Sequence, residues 1–65
     1  MKHFLFVEEI SGEQFIVGED NFSDAAISAE SVAAAIGQNY ADVWELRFLC
    51  ELTDEEAEAS GLDEY

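Results

Sequence analysis

The chain has 65 residues, of which 16 are acidic and only two, Lys2 and Arg47, are basic, so its formal net charge is −14. Hydrophobic residues make up 49% of it, enough for a chain of this charge to fold around a core instead of staying disordered. Binding to nucleic acid through phosphates and binding to anionic membranes both depend on Lys and Arg, so both are excluded. We predict a single small domain over residues 1–65 with a strongly anionic surface.

Two segments near the start of the chain are rich in β-branched and aromatic residues. They are Lys2–Glu8 and Gln14–Val17, and a short polar break separates them. Within this break, Gly12 can take the positive φ that a tight connection requires. The pattern predicts a β-hairpin.

The middle of the chain predicts a loop followed by a helix. Residues 18–26 combine turn-forming residues with a single aromatic, Phe22, so we expect a loop that this ring pins to the core. Ser28 is a suitable N-cap for an alanine-rich helix over Ala29–Gln38, and Gly37 lies near its end.

Residues 42–52 fit either a strand or a helix. Val43, Leu46 and Cys50 could form a helical stripe, but the alternation of apolar residues from Trp44 to Leu52 and the abundance of β-forming residues favour a strand.

After this third strand, Thr53 followed three residues later by Glu56 is a capping-box signature, and Gly61 lies beyond the last turn. We therefore predict a short acidic C-terminal helix. The predicted fold is α+β, in the order β-β-α-β, with a three-stranded antiparallel sheet, one helix packed on it and the terminal acidic helix.

Apolar residues occupy both faces of the predicted sheet. In the first strand Phe4 and Phe6 point to one side, and Leu5 and Val7 to the other. One helix covers only one face, so we expect an open apolar face that supports a homodimer or a partner. The alternative is that the loop and the C-terminal helix fold over it.

Acidic residues cluster around the hairpin turn, after the second strand and near the end of the chain. Carboxylates two residues apart on a strand lie about 6.6 Å apart, close to twice the roughly 3.4 Å rise per phosphate of a DNA strand. We therefore predict a phosphate-mimicking surface, with Phe22 or Trp44 as an apolar anchor. The alternative is a merely solubilising surface, but such a surface normally mixes both signs of charge. The predicted partner-binding acids are Glu8, Glu9, Glu13, Glu19, Asp20, Glu51, Asp54, Glu55, Glu56 and Glu58.

Signals for catalysis are weak. His3 and Cys50 could belong to a nucleophile and base pair, but a buried structural cysteine is the expected role of Cys50. One His and one Cys do not make a zinc site, the acids lack the spacing of a calcium loop, and no glycine-rich phosphate loop is present. We predict no enzyme activity, no cofactor and no metal. A single cysteine, which cannot form an internal disulfide, fits a reducing compartment such as the cytoplasm.

Very small, highly acidic β/α proteins without a catalytic set resemble the inhibitors that phages and mobile elements use against host DNA-handling proteins. Gly12, Glu13, Gln14 and Phe15, together with Gly37 and the later Leu46 and Arg47, resemble motifs of the short uracil-DNA glycosylase inhibitors of phi29-type phages. The spacing between these blocks differs, and the terminal acidic helix has no counterpart in that family. The resemblance implies a dimeric β-β-α-β inhibitor.

Charge and resemblance together predict a non-enzymatic DNA mimic that blocks a basic nucleic-acid-binding host protein, foremost as an anti-CRISPR protein acting in the host cytoplasm. Two alternatives remain open. One is an inhibitor of uracil-DNA glycosylase, and the other is an acidic interaction module that docks through an apolar sheet face.

Overall fold

The computed structural model describes residues 1–65 and places the elements in the order β-β-α-β-α. The central strand of the sheet is β1, which pairs antiparallel with β2 on one side and with β3 on the other. The predicted α+β class and three-stranded antiparallel sheet are therefore confirmed. The elements are β1 (Lys2–Glu8), β2 (Glu13–Glu19), α1 (Phe22–Tyr40), β3 (Leu46–Leu52) and α2 (Asp54–Ser60).

The hairpin forms as predicted, although β2 extends beyond Gln14–Val17 at both ends. Gly12 has a φ of 76°, and its N–H donates to the Glu8 carbonyl over 2.8 Å. A glycine is favoured here because a side chain at positive φ is strained.

The main core lies between α1 and one face of the sheet. Phenylalanine rings from β1 and β2 pack against the helix together with Val17. The buried residues of α1 are all small and recur every fourth position: Ala25, Ala29, Ala33 and Gly37. This stripe lets the helix approach closely. A Cβ on Gly37 would lie only 2.7 Å from the Val43 carbonyl oxygen.

The start of α1 differs from the prediction. The helix begins at Phe22 with Asn21 as its N-cap, and the Asn21 side chain accepts from the Asp24 N–H over 2.9 Å. Asn caps helices as well as Ser does, and the first turn that follows is compatible with a helix. The prediction of a loop over residues 18–26 with Ser28 as the cap was therefore wrong. The Ser28 hydroxyl donates instead to the Glu19 carboxylate over 3.2 Å.

The start of β3 also differs, because the strand begins at Leu46 instead of residue 42. Asp42 has a φ of 57°, and its N–H donates to the Gly37 carbonyl over 2.6 Å, which ends α1. Val43 and Trp44 belong to the link between α1 and β3. Trp44 lies beside Gly37 in this link, so the apolar alternation of the sequence extends beyond the strand itself.

The C-terminal helix forms with the predicted caps. Thr53 and Glu56 exchange side-chain and backbone hydrogen bonds of 2.9 and 3.1 Å, which is a complete capping box. Gly61 ends the helix in the left-handed region, with a φ of 69°.

On the second face of the sheet, α2 contacts β1 and β3 and leaves Leu5 and Val7 half-buried, so the expectation of a fully open apolar face was wrong. His3 points away from Phe4 and contacts Asp54 of α2, which places this helix on the side opposite α1. Ile16 and Ala57 are buried there. Of the alternative, only the part about the C-terminal helix describes the structure, because residues 22–26 of the expected loop belong to α1 on the opposite face.

The segment after α2 returns along the outer edge of β2. The Ile16 N–H donates to the Asp63 carbonyl over 2.9 Å, and the Tyr65 N–H donates to the Ile16 carbonyl over 2.8 Å. The outer edge of β3 stays unpaired. Cys50 lies on this edge strand and is exposed, so the prediction of a buried cysteine was wrong.

Candidate protein-binding surface

The acidic side chains form almost the whole charged surface of the folded chain. Glu8 is fully buried and Glu19 is half-buried, and every other Asp and Glu is exposed. The ion pairs within the chain are few: His3 contacts Asp54 and Glu64, and Arg47 lies 3.9 Å from Glu9. The surface is therefore anionic with little internal neutralisation.

Glu8 is a structural residue, so its predicted role in partner binding was wrong. Its carboxylate accepts from the backbone N–H groups of Ile10, Ser11 and Glu45 over 3.0, 2.7 and 2.8 Å. Burial raises the pKa of this carboxyl, but the hydrogen bonds, first that from Glu45, outweigh burial and lower the pKa to about 2. Glu8 thus ties the hairpin turn to the residue that precedes β3.

Most of the exposed acids lie at one of the two ends of the sheet. Glu9 and Glu13 lie at the turn of the hairpin, together with Glu45. The open end, where Lys2 pairs with Glu19, lies about 20 Å away along β1. We call the group at this open end the acidic end. Its members are Glu19, Asp20, Asp24, Glu51, Asp54, Glu55, Glu56 and Glu64.

Several of the predicted acids already have partners within the chain. Asp54 contacts His3, Glu56 completes the capping box, and Glu19 accepts from Ser28. The predicted acids whose carboxylates make no hydrogen bond or ion pair are Glu13, Asp20, Glu51, Glu55 and Glu58. These carboxylates are free to pair with cations of another protein.

An exposed aromatic pair borders the acidic end. Phe22 and Phe48 are 47% and 40% exposed, and their ring centroids lie 4.9 Å apart with nearly perpendicular planes. Glu51 lies on the same face of β3 as Phe48, because their partners Phe4 and Phe6 both face α1. Of the two predicted anchors, Phe22 therefore lies beside the acids.

Trp44, the other predicted anchor, is 42% exposed but packs beside Gly37 near the end of α1. Sequence reasoning did not single out Phe48 as an anchor, since its alternation indicated a core residue. It is exposed because α1 packs mainly on β1 and β2 and covers little of β3.

His3 is a second residue whose role the sequence did not indicate. Its Nδ1 lies 2.6 Å from a Glu64 carboxylate oxygen, and its Nε2 lies 2.6 Å from an Asp54 oxygen. Both ring nitrogens can donate only in the protonated imidazolium form. These contacts, first that with Glu64 and then that with Asp54, raise the pKa of His3. Protonated His3 therefore joins β1 to α2 and to the C-terminal segment.

We expect His3 to stabilise the fold at low pH and to lose this effect at high pH. A raised pKa in the folded state means that the contribution is complete below the unfolded value of about 6.5 and disappears as the pH rises through the folded value. Thermal unfolding of the wild type and of His3→Gln should differ most near pH 5 and converge near pH 9. A difference that is constant over this range would show that the imidazolium contacts do not stabilise the fold.

No family model matches the chain, and neither a curated protein nor a solved structure matches it. No three His, Cys, Asp or Glu side chains converge in a geometry that could hold a metal ion. Neither helix is both long and apolar enough to cross a membrane. Function must therefore be inferred from the surface itself.

Proposed function

We propose that this protein is a non-enzymatic inhibitor that imitates nucleic acid and occupies the basic nucleic-acid-binding surface of a host defence or repair protein. The observation that supports this proposal is that the surface charge is almost entirely negative. Exposed carboxylates surround a folded frame that has only two basic side chains. A surface that served solubility alone would intersperse Lys and Arg among the acids.

The frame fixes the backbone positions from which these side chains project, which favours binding. Glu51 lies on a paired strand, and Glu55 and Glu58 lie on a helix with a capping box at one end and Gly61 at the other. Pre-positioned groups lose little conformational entropy when a partner binds. The mechanism is competitive: carboxylates take the positions that phosphates would occupy on the target's Lys and Arg side chains.

Among such targets we propose a CRISPR effector complex first, because its nucleic-acid channel is positively charged and contacts the backbone through basic residues. Uracil-DNA glycosylase is the alternative target. The interaction module that docks through an open sheet face loses support, since α2 lies on that face.

The experiment that tests the proposal adds the purified protein to an effector nuclease or to the glycosylase before or after its nucleic acid. A competitive mimic should inhibit when it is added first and fail when a saturating nucleic acid is already bound. Inhibition that is equally strong in both orders would contradict competition for the nucleic-acid surface.

The exposed aromatic pair predicts an apolar anchor whose contribution to target affinity does not depend on salt concentration. We expect Phe22→Ala to weaken target binding about 10- to 30-fold at every salt concentration, because a buried aromatic anchor contributes about 2 kcal/mol. Ile27→Ala, which removes another exposed apolar side chain of α1, is the matched control and should bind like the wild type. Calorimetric titration measures both. Unchanged affinity of a folded Phe22→Ala variant would rule out the anchor.

A further inference from the structure

A groove at the other end of the molecule has the composition of a site for a guanidinium group. It lies between the second half of α1, the hairpin turn and the C-terminal segment, and its volume is about 510 Å³. Val32 and Ile36 form an apolar part of the wall, and Tyr40, Tyr65 and Glu13 also line it. Neither Lys2 nor Arg47 lines this groove, so it has no internal cation.

The two tyrosines are exposed but differ in how the fold holds them. Tyr65 is 57% exposed, and both its backbone N–H and its carbonyl are hydrogen-bonded to β2. Its ring packs against Phe15 with the ring planes at 87°. Tyr40 is 65% exposed in the last turn of α1. Aromatic rings attract cations, and the planar guanidinium also stacks on them, whereas an ammonium does not stack.

Charge complements this geometry. Glu13 begins β2 at the groove, and its carboxylate makes no hydrogen bond or ion pair within the chain. A free carboxylate beside aromatic rings can accept hydrogen bonds from two N–H groups of a guanidinium while the rings contact the plane of the guanidinium. The net charge of −14 excludes an anionic occupant and disfavours a second copy of the chain.

We infer that this groove binds an arginine side chain of the target. The inference rests on the proposed function for the identity of the partner, but the groove's preference for arginine is a property of the isolated protein. Glu13 in the groove lies about 20 Å along β2 from Glu19 of the acidic end, so a target that contacts both carboxylates is held over that distance. The acidic end then supplies charge, and the groove supplies selectivity for arginine over lysine.

The test is a titration of the ¹⁵N-labelled protein with N-acetyl-arginine methylamide, followed by amide chemical shifts, with N-acetyl-lysine methylamide as the charge-matched probe. We expect the arginine probe to shift the amides of Glu13, Tyr40 and Tyr65 and to bind about 3- to 5-fold more tightly than the lysine probe. Tyr40→Leu, which keeps an apolar side chain, and Glu13→Gln should each remove most of this preference.

Equal binding of both probes, or shifts confined to the acidic end, would overturn the inference. Groove shifts that depend on protein concentration without any probe would show that a second copy occupies the groove, and would also overturn it. These outcomes leave the proposed function standing, because that function is tested by reversing charges on α2.

Discussion

Reversing the charges of Glu55 and Glu58 together should abolish inhibition of the target. The two residues lie three positions apart on α2, so they share a face, and both are exposed with carboxylates that make no hydrogen bond or ion pair within the chain. Lysines at these positions would face the basic groove of the target, and like charges in such an interface cost several kcal/mol. We expect Glu55→Lys/Glu58→Lys to lose at least about 100-fold in affinity at low salt.

Net charge itself must be controlled in this experiment. Glu30→Lys/Glu45→Lys changes the total charge equally, at exposed positions outside both α2 and the acidic end, and should retain most of the affinity. Glu56 is unsuitable for reversal because its carboxylate accepts from the Thr53 N–H in the capping box. Equal losses in both double variants would show that binding follows total charge and not the placement of the acids. Full inhibition by a folded Glu55→Lys/Glu58→Lys variant would contradict the proposed surface.

Replacing Glu8 with alanine should destabilise the fold more than any other removal of an acidic side chain. The change leaves the N–H groups of Ile10, Ser11 and Glu45 without their acceptor in a partly buried site. Buried donors without partners are costly, so we expect the midpoint of thermal unfolding to fall by roughly 10 °C or more. Glu13→Ala, which removes an exposed acid at the paired position of β2, is the matched control and should change the midpoint little.

The contribution of Glu8 should also depend on pH with a definite sign. Its folded pKa of about 2 lies below the ordinary value of 4.5, so the stabilisation is complete above the unfolded pKa and is lost as the pH falls towards 2. The difference in stability between the wild type and Glu8→Ala should therefore be largest near neutral pH and shrink in acid. Equal unfolding midpoints for Glu8→Ala and Glu13→Ala at pH 7 would show that the buried carboxylate is not a structural link.

Local signals predicted the parts of the fold that depend on neighbouring residues. The hairpin turn follows from Gly12, and α2 follows from the pair of Thr53 and Glu56, because each motif is complete within a few residues. The start of α1 was missed because Asn21 and Ser28 are equally good caps, and only packing against the sheet decides between them.

The exposed acidic side chains of the candidate site were predictable, because their exposure follows from composition alone. The predicted set contained the free acids Glu13, Asp20, Glu51, Glu55 and Glu58, because most acids of such a chain must be exposed. The burial of Glu8 depends on Glu45, which lies 37 positions along the chain, and the pairing of His3 with Glu64 spans 61 positions. No sequence pattern connects residues so far apart.

Competition between the protein and nucleic acid for a purified target, followed over a range of salt, tests the central claim most directly. We predict that duplex DNA or RNA displaces the protein completely, and that affinity falls at least about 100-fold between about 0.05 and 0.5 M salt. The Glu55→Lys/Glu58→Lys variant should fail to bind under all of these conditions. A complex that nucleic acid does not displace and that salt does not weaken would contradict the account.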